Sequence, residues 1–233
     1  MKKQVTLALS CLLSSSVVMA DAEDDPVLFK LMIDKLEWRA ADGSNPLVWD
    51  ADAWVGRDLN KLWFKTEGEY VDGTTEAASG ELLYSRAISA YWDVQAGWRH
   101  DYSPEADRDW FAVSLKGLAP YWFEVDASLY AGGNGAVFAR LDAEYEIMLT
   151  QRLVLSPELE LHAYSQEDPV RGIGSGLTDM ELGLRLRYEI RREFAPYIGV
   201  NWEQKLGSTA DFAREEGEST NDIQFVLGVR AWF

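Results

Sequence analysis

The sequence predicts an all-β protein: a transmembrane, antiparallel, up-and-down β-barrel of about twelve strands. Three observations predict it. Apolar and polar residues alternate through most of the chain, the period of a strand with two unlike faces. The connections between the alternating runs are short and long by turns. The last run, "NDIQFVLGVRAWF", ends on an aromatic residue, Phe233, at the close of its apolar face.

Residues 1–20, "MKKQVTLALSCLLSSSVVMA", have a basic start, an apolar middle and a small-residue end. They read as a cleaved secretory leader, with an apolar run too short to span a bilayer comfortably. Residues 21–233 then form a single barrel domain with a short N-terminal tail. Cys11 is the one cysteine and lies in the leader, so no disulfide framework is expected after export. The chain carries 22 Lys+Arg against 39 Asp+Glu, a net charge of −17; without Lys2 and Lys3 the count is 20 against 39, or −19. Such a surface repels nucleic acid and attracts cations. Beyond the leader no apolar run is long enough for a transmembrane helix.

The strands follow in order. Run 28–38 is followed by the polar loop "RAADGSN", and 46–56 by the short turn "GRDLN". Run 61–70 turns Lys65, Glu67 and Glu69 to one face and precedes "VDGTTEAAS". Run 80–89 ends at "ISA". Run 91–101 carries Asp93, Gln95 and Arg99 on its polar face, and "DYSPEADRD" follows. Run 109–118 ends at "LAP". Run 121–131 places Glu124 and Asp126 on its polar face before "AGGNG". Run 136–148 aligns Arg140, Asp142, Glu144 and Glu146, and "LTQ" follows. Run 152–164 aligns Glu158, Glu160 and His162 before "SQEDPVRGIGSG". Run 178–190 sets Glu181, Arg185, Arg187 and Glu189 against Leu182, Leu184 and Leu186, then turns at "RRE". Run 194–205 leads into "GSTADFAREEGES". The final run, 221–233, carries Arg230 on its inward face.

Strands of about ten residues suit a tilted membrane crossing. Short turns alternating with longer polar loops match the periplasmic and external ends of outer-membrane barrels, which puts both termini on the periplasmic side. Trp63, Trp92, Tyr121, Trp122, Tyr145, Tyr188, Tyr197 and Trp232 fall near strand ends, as interfacial girdles do. Alternation alone fits a soluble barrel or sandwich equally well, with its apolar face inside. The leader, the loop asymmetry and Phe233 favour the membrane. Phe233 is expected to be the assembly signal read by the outer-membrane insertion machinery, and the outer band is expected to contact outer-membrane lipid as a monomer.

Parity sends Glu67, Glu69, Asp93, Arg99, Glu124, Asp126, Arg140, Asp142, Glu144, Glu181, Arg185, Arg187, Glu189 and Arg230 into the lumen. A network of paired charges is expected there, with surplus carboxylates offering a path to cations. Four residues are candidate metal ligands: His162 with Glu160, and His100 with Asp101. Imidazole with carboxylate suits divalent transition metals. No catalytic or cofactor motif is found, and "GIGSG" (172–176) opens no helix after a strand, so phosphate binding is not supported. A structural or adhesive barrel is one alternative. Another is an outer-membrane hydrolase using His162 and Ser165, although residues three apart on a strand face opposite ways.

Five segments carry a resemblance: "WVGRDLNKLWFKTEGE" (54–69), "LLYSRAISAYWDVQAGWRHDY" (82–102), "GLAPYWFEVDASLY" (117–130), "LTQRLVLSPELEL" (149–161) and "GIGSGLTDMELGLRLRYEIRREFAPYIGVNWEQKLGSTADFAR" (172–214). In these the chain resembles the copper resistance protein B family of bacterial outer-membrane proteins. The resemblance implies a non-catalytic barrel that binds copper ions or conducts them across the outer membrane, working with a periplasmic multicopper oxidase of the same resistance system. Many members carry an N-terminal extension rich in methionine and histidine. Here "DAEDDPVLF" stands in that place and has neither.

Overall fold

The computed structural model describes residues 25–41, 45–103 and 107–233; the expected leader lies outside them. Thirteen strand segments follow one another: β1 (Leu28–Ala40), β2 (Leu47–Gly56), β3 (Asn60–Val71), β4 (Thr74–Ala87), β5 (Trp92–Tyr102), β6 (Arg108–Ala119), β7 (Phe123–Gly132), β8 (Val137–Glu144), β9 (Ile147–Met148), β10 (Leu153–Tyr164), β11 (Gly176–Tyr188), β12 (Phe194–Lys205) and β13 (Asn221–Trp232). β9 continues β8 along the same edge of β10, so the thirteen segments make twelve crossings. Each crossing pairs antiparallel with its chain neighbours, and β1 pairs with β13 to close the ring. At the seam the amide and carbonyl of Phe233 exchange hydrogen bonds with Leu31, at 2.8 and 3.0 Å.

The faces are arranged as lipid requires. Phe225, Leu227, Ile198, Phe111, Leu129 and Leu184 stand exposed on the outer wall, while Glu37, Gln95 and Asn201 are wholly buried inside. A water-soluble barrel would be built the other way round. Closure leaves no free sheet edge, the condition for crossing hydrocarbon without helices. The lumen wall of β6, β7, β8 and β10 is packed with rings: Phe138 stacks on Tyr130 at 4.9 Å and on Tyr164 at 4.4 Å, with Trp110 against it at 6.2 Å.

Several details differ from the sequence expectation, each for a physical reason. The long loop expected after residue 70 is a two-residue turn, and β4 starts at Thr74. Asp72 (φ 47°) and Gly73 (φ 93°) take the left-handed backbone that an Asp-Gly hairpin turn uses. β7 starts at Phe123 instead of residue 121, because Pro120–Trp122 form a turn in which Tyr121 and Trp122 take left-handed backbone (φ 68° each). The run 136–148 is broken at Tyr145 and Glu146. Tyr145 lies opposite Pro157 of β10: its amide donates to the Pro157 carbonyl at 3.1 Å, but Pro157 has no N–H to return. Tyr197, placed among the interfacial aromatics by its position, points into the lumen, and its hydroxyl donates to Glu37 Oε2 at 2.9 Å.

The segment read as the loop "GSTADFAREEGES" contains a helix, α1 (Gly207–Glu216). Its end is signalled by Gly217, whose left-handed backbone (φ 78°) lets its N–H bond back to the carbonyls of Ala213 and Arg214. α1 buries Ala210 and Ala213 and sits at the long-loop end beside β11 and β12. The Gly174 amide donates to Thr209 Oγ1 at 2.9 Å. The approach is so close that a Cβ at residue 174 would meet the Thr209 amide.

Candidate functional site

The candidate site is the lumen, and its charges are placed by strand parity and by register irregularities, of which the one in β1 moves the most charge. In β1 the register shifts between Ile33 and Leu36. A bulge puts two successive side chains on one face, so Asp34 and Lys35 both enter the lumen. Asp34 pairs with Arg230 Nε at 2.8 Å, and Lys35 pairs with Glu158. After the bulge the alternation resumes in the other phase, which turns Glu37 and Arg39 inward. Glu37 is 0 % exposed and takes four donors: Arg39 Nε (2.8 Å), Arg185 Nη2 (2.9 Å) and Nε (3.0 Å), and the Tyr197 hydroxyl (2.9 Å). A buried carboxylate needs this, since desolvation alone costs several kcal/mol, on the order of the pairing gain.

Around that hub the ion pairs run across the lumen as well as along its wall. Lys35 to Glu158, Lys65 to Asp126 (2.8 Å) and Arg230 to Glu146 (3.0 Å) join elements about a third of the ring apart. Arg140 on β8 reaches Glu67 on β3, five strands away in the ring of twelve. Arg140 also holds Asp142 (2.9 Å) and Glu160 (3.1 Å). Arg99 holds Glu67 (2.9 Å), Glu81 (2.8 Å) and Asp101 (2.6 Å), and lies 5.0 Å from the Tyr130 ring. Arg185 reaches Glu158 at 2.5 Å, Arg39 reaches Glu181 at 3.0 Å, and Arg187 pairs with Glu146 and lies 3.9 Å from Glu189. Glu144 is 3.7 Å from Arg230, and Asp93 is 3.5 Å from Lys61. Glu124 lines the space near the short turns, and Glu69 the space near the long loops.

These spaces are two separate cavities. One, of about 500 Å³, occupies the half of the lumen nearer the short turns. The other, of about 1090 Å³, lies under the long loops and α1. Asp50 and Asp52 of β2 line the first and were not singled out in the sequence; nor were Glu37, Arg39 and Glu81. Arg171, in the β10–β11 connection, lines the second, 4.0 Å from Asp101, and Asp168 in that connection pairs with Arg108. The connection is thus tied down across the mouth.

The metal candidates are placed as follows. His162 lies in the lumen with Nδ1 2.5 Å from Asp179 and Nε2 2.9 Å from Glu160, the second an off-axis ionic contact rather than an aligned hydrogen bond. Glu160 is shared with Arg140. His100 is on the outer face, with Nδ1 2.9 Å from Asp109 and its ring stacked on Trp98 at 5.7 Å. Asp101 is inside, bound to Arg99 and to Trp110 Nε1 (2.7 Å). His162 and Glu160 therefore meet, whereas His100 and Asp101 face opposite ways. Among the described residues no three His, Cys, Asp or Glu side chains are arranged to hold a metal ion. Ser165 Oγ accepts the Val137 amide (2.8 Å), and both ring nitrogens of His162 are turned to carboxylates.

A closed twelve-stranded barrel with an apolar outer band and a charged lumen defines an outer-membrane β-barrel protein. The solved structures bear out the fold: the chain matches the NanC porin at a TM-score of 0.57 (13% identity, 88% of this chain and 99% of that one). It matches the KdgM porin at 0.52 (11% identity, with the same coverage). Residues 27–233 match the family model "Copper resistance protein B precursor (CopB)". The chain is 47% identical over 210 residues to copper resistance protein B of Escherichia coli, covering 90% of this chain and 71% of that protein. It is 44% identical to the copper resistance protein B homolog of Pseudomonas syringae pv. tomato, with the same coverage. The chain belongs to the copper resistance protein B family.

Proposed function

We propose that this barrel carries copper ions across the outer membrane through its lumen, and that it performs no covalent chemistry. The supporting observation is the sign of the lumen. The cavity near the short turns is lined by eleven acidic and seven basic side chains, the one under the long loops by seven and three. Surplus carboxylate lowers the barrier to cations and raises it to anions. The donors are carboxylate oxygens and one imidazole, a set that suits divalent copper better than the softer monovalent ion. A periplasmic multicopper oxidase of the same resistance system is the partner expected at the short-turn end. Purified protein in liposomes is expected to pass copper over minutes, above zinc and nickel controls. Absence of both copper flux and ionic conductance would leave a structural or adhesive barrel as the better reading.

Assembly is assigned to the outer-membrane insertion machinery reading Phe233. The side chain stands free on the outer wall, while its backbone closes the seam on Leu31. Phe233→Ala keeps the closing hydrogen bonds and removes the ring; deletion of Phe233 removes both. Both variants are expected to lower the heat-modifiable, membrane-inserted form, and deletion the more. Normal insertion of Phe233→Ala would assign the terminal residue a purely structural role.

A further inference from the structure

We propose that the contact between Arg140 and Glu67 is the gate of the lumen. Of the described residues only Glu67 and Ser79 line both cavities. Arg140 lines the cavity near the short turns and Arg99 the one under the long loops, and each binds one oxygen of Glu67. The partition between the two spaces is thus the row Arg140–Glu67–Arg99.

Where the row crosses the lumen, between Arg140 on β8 and Glu67 on β3, it can part without leaving a buried charge alone. On the β3 side Glu67 is kept by Arg99 at 2.9 Å and by the Ser79 hydroxyl at 3.2 Å. On the opposite side Arg140 is kept by Asp142 at 2.9 Å and Glu160 at 3.1 Å, from β8 and β10. Breaking Arg140–Glu67 frees the space between these two side chains while each stays charge-paired on its own side, and the neighbouring Lys65–Asp126 pair still joins β3 to β7. That differs from breaking an isolated buried pair, where the orphaned ion carries the full desolvation cost. Arg140 has a long side chain anchored on its own strand, so a rotamer change suffices and the barrel wall need not move. Glu67 lines both cavities, so a cation in either one can reach its carboxylate and compete with the guanidinium for it.

The proposal concerns how the two cavities are joined and holds for any small cation, so potassium conductance in planar bilayers tests it without copper. Glu67→Ala and Arg140→Gln change the lumen charge in opposite directions. If the contact is the gate, both raise conductance, by roughly ten-fold or more for a narrow lumen whose barrier is set at one constriction. Cation selectivity then falls in the first variant and rises in the second. If these residues only tune charge, Glu67→Ala lowers cation conductance while Arg140→Gln raises it, and the gate is overturned; unchanged conductance in both folded variants overturns it equally. Heat-modifiability reports folding, and Glu67→Gln reads the same contact should the alanine variant fail to insert. Conducting variants alongside a wild type without copper flux would leave the gate standing and remove the copper reading. Copper flux in the wild type with unchanged variants would do the reverse.

Discussion

Glu37→Gln is expected to lower the stability of the folded barrel by about 3–5 kcal/mol, the usual cost of removing one partner of a buried ion pair. The amide keeps the shape of the side chain and loses its charge. Arg39 then retains Glu181, and Arg185 retains Glu158, but both lose the carboxylate that joins them. The Tyr197 hydroxyl, which donates to Glu37 Oε2, faces an amide that can accept only on one atom. Urea unfolding of the protein in lipid vesicles measures the loss. Glu37→Asp, which keeps the charge on a shorter stem, is expected to fall between the two. A midpoint unchanged in Glu37→Gln would mean that water solvates this hub, contrary to its complete burial.

Leu184→Arg is expected to cost about 2–4 kcal/mol if the residue lies near the midplane of the bilayer, the penalty for a cation on the lipid face of a barrel. Leu184 pairs with Pro157 on one side and Val200 on the other and is exposed on the outer wall, while the next residue, Arg185, is buried inside. The same pair tests the direction of the faces. A cysteine at 184 should stay inert to a water-soluble thiol reagent in liposomes, and one at 185 should react once the reagent enters the lumen. The opposite pattern would turn the strand inside out.

β11 was legible because its leucines and arginines differ so sharply that a single parity fits the whole strand. β1 was not. The bulge between Ile33 and Leu36 changes phase in mid-strand, so a fixed period of two loses Asp34, Lys35 and Glu37 together. In β2 the outward face includes Ala51 and Ala53, a weak apolar signal that leaves the inward Asp50 and Asp52 beside them without contrast. Tyr197 was misread because an aromatic near a strand end looks the same whether it meets lipid or reaches a buried carboxylate. Which charges meet across the lumen was not legible at all. Glu67 and Arg140 are 73 residues apart in the chain, and only the closure of the ring and its stagger bring them together.

The alternation that builds the two walls has a consequence for the chain before it folds. A protein bound for the outer membrane must first pass the inner one, where a long unbroken apolar segment would be retained as a helix. Here most residues of the future lipid face are separated from the next by a polar or small one, and the mean hydropathy of the whole chain is −0.22. The greasiness of this protein does not exist in one dimension. It comes into being only when strands lie side by side, which is after the last place where it could have stopped the chain's journey.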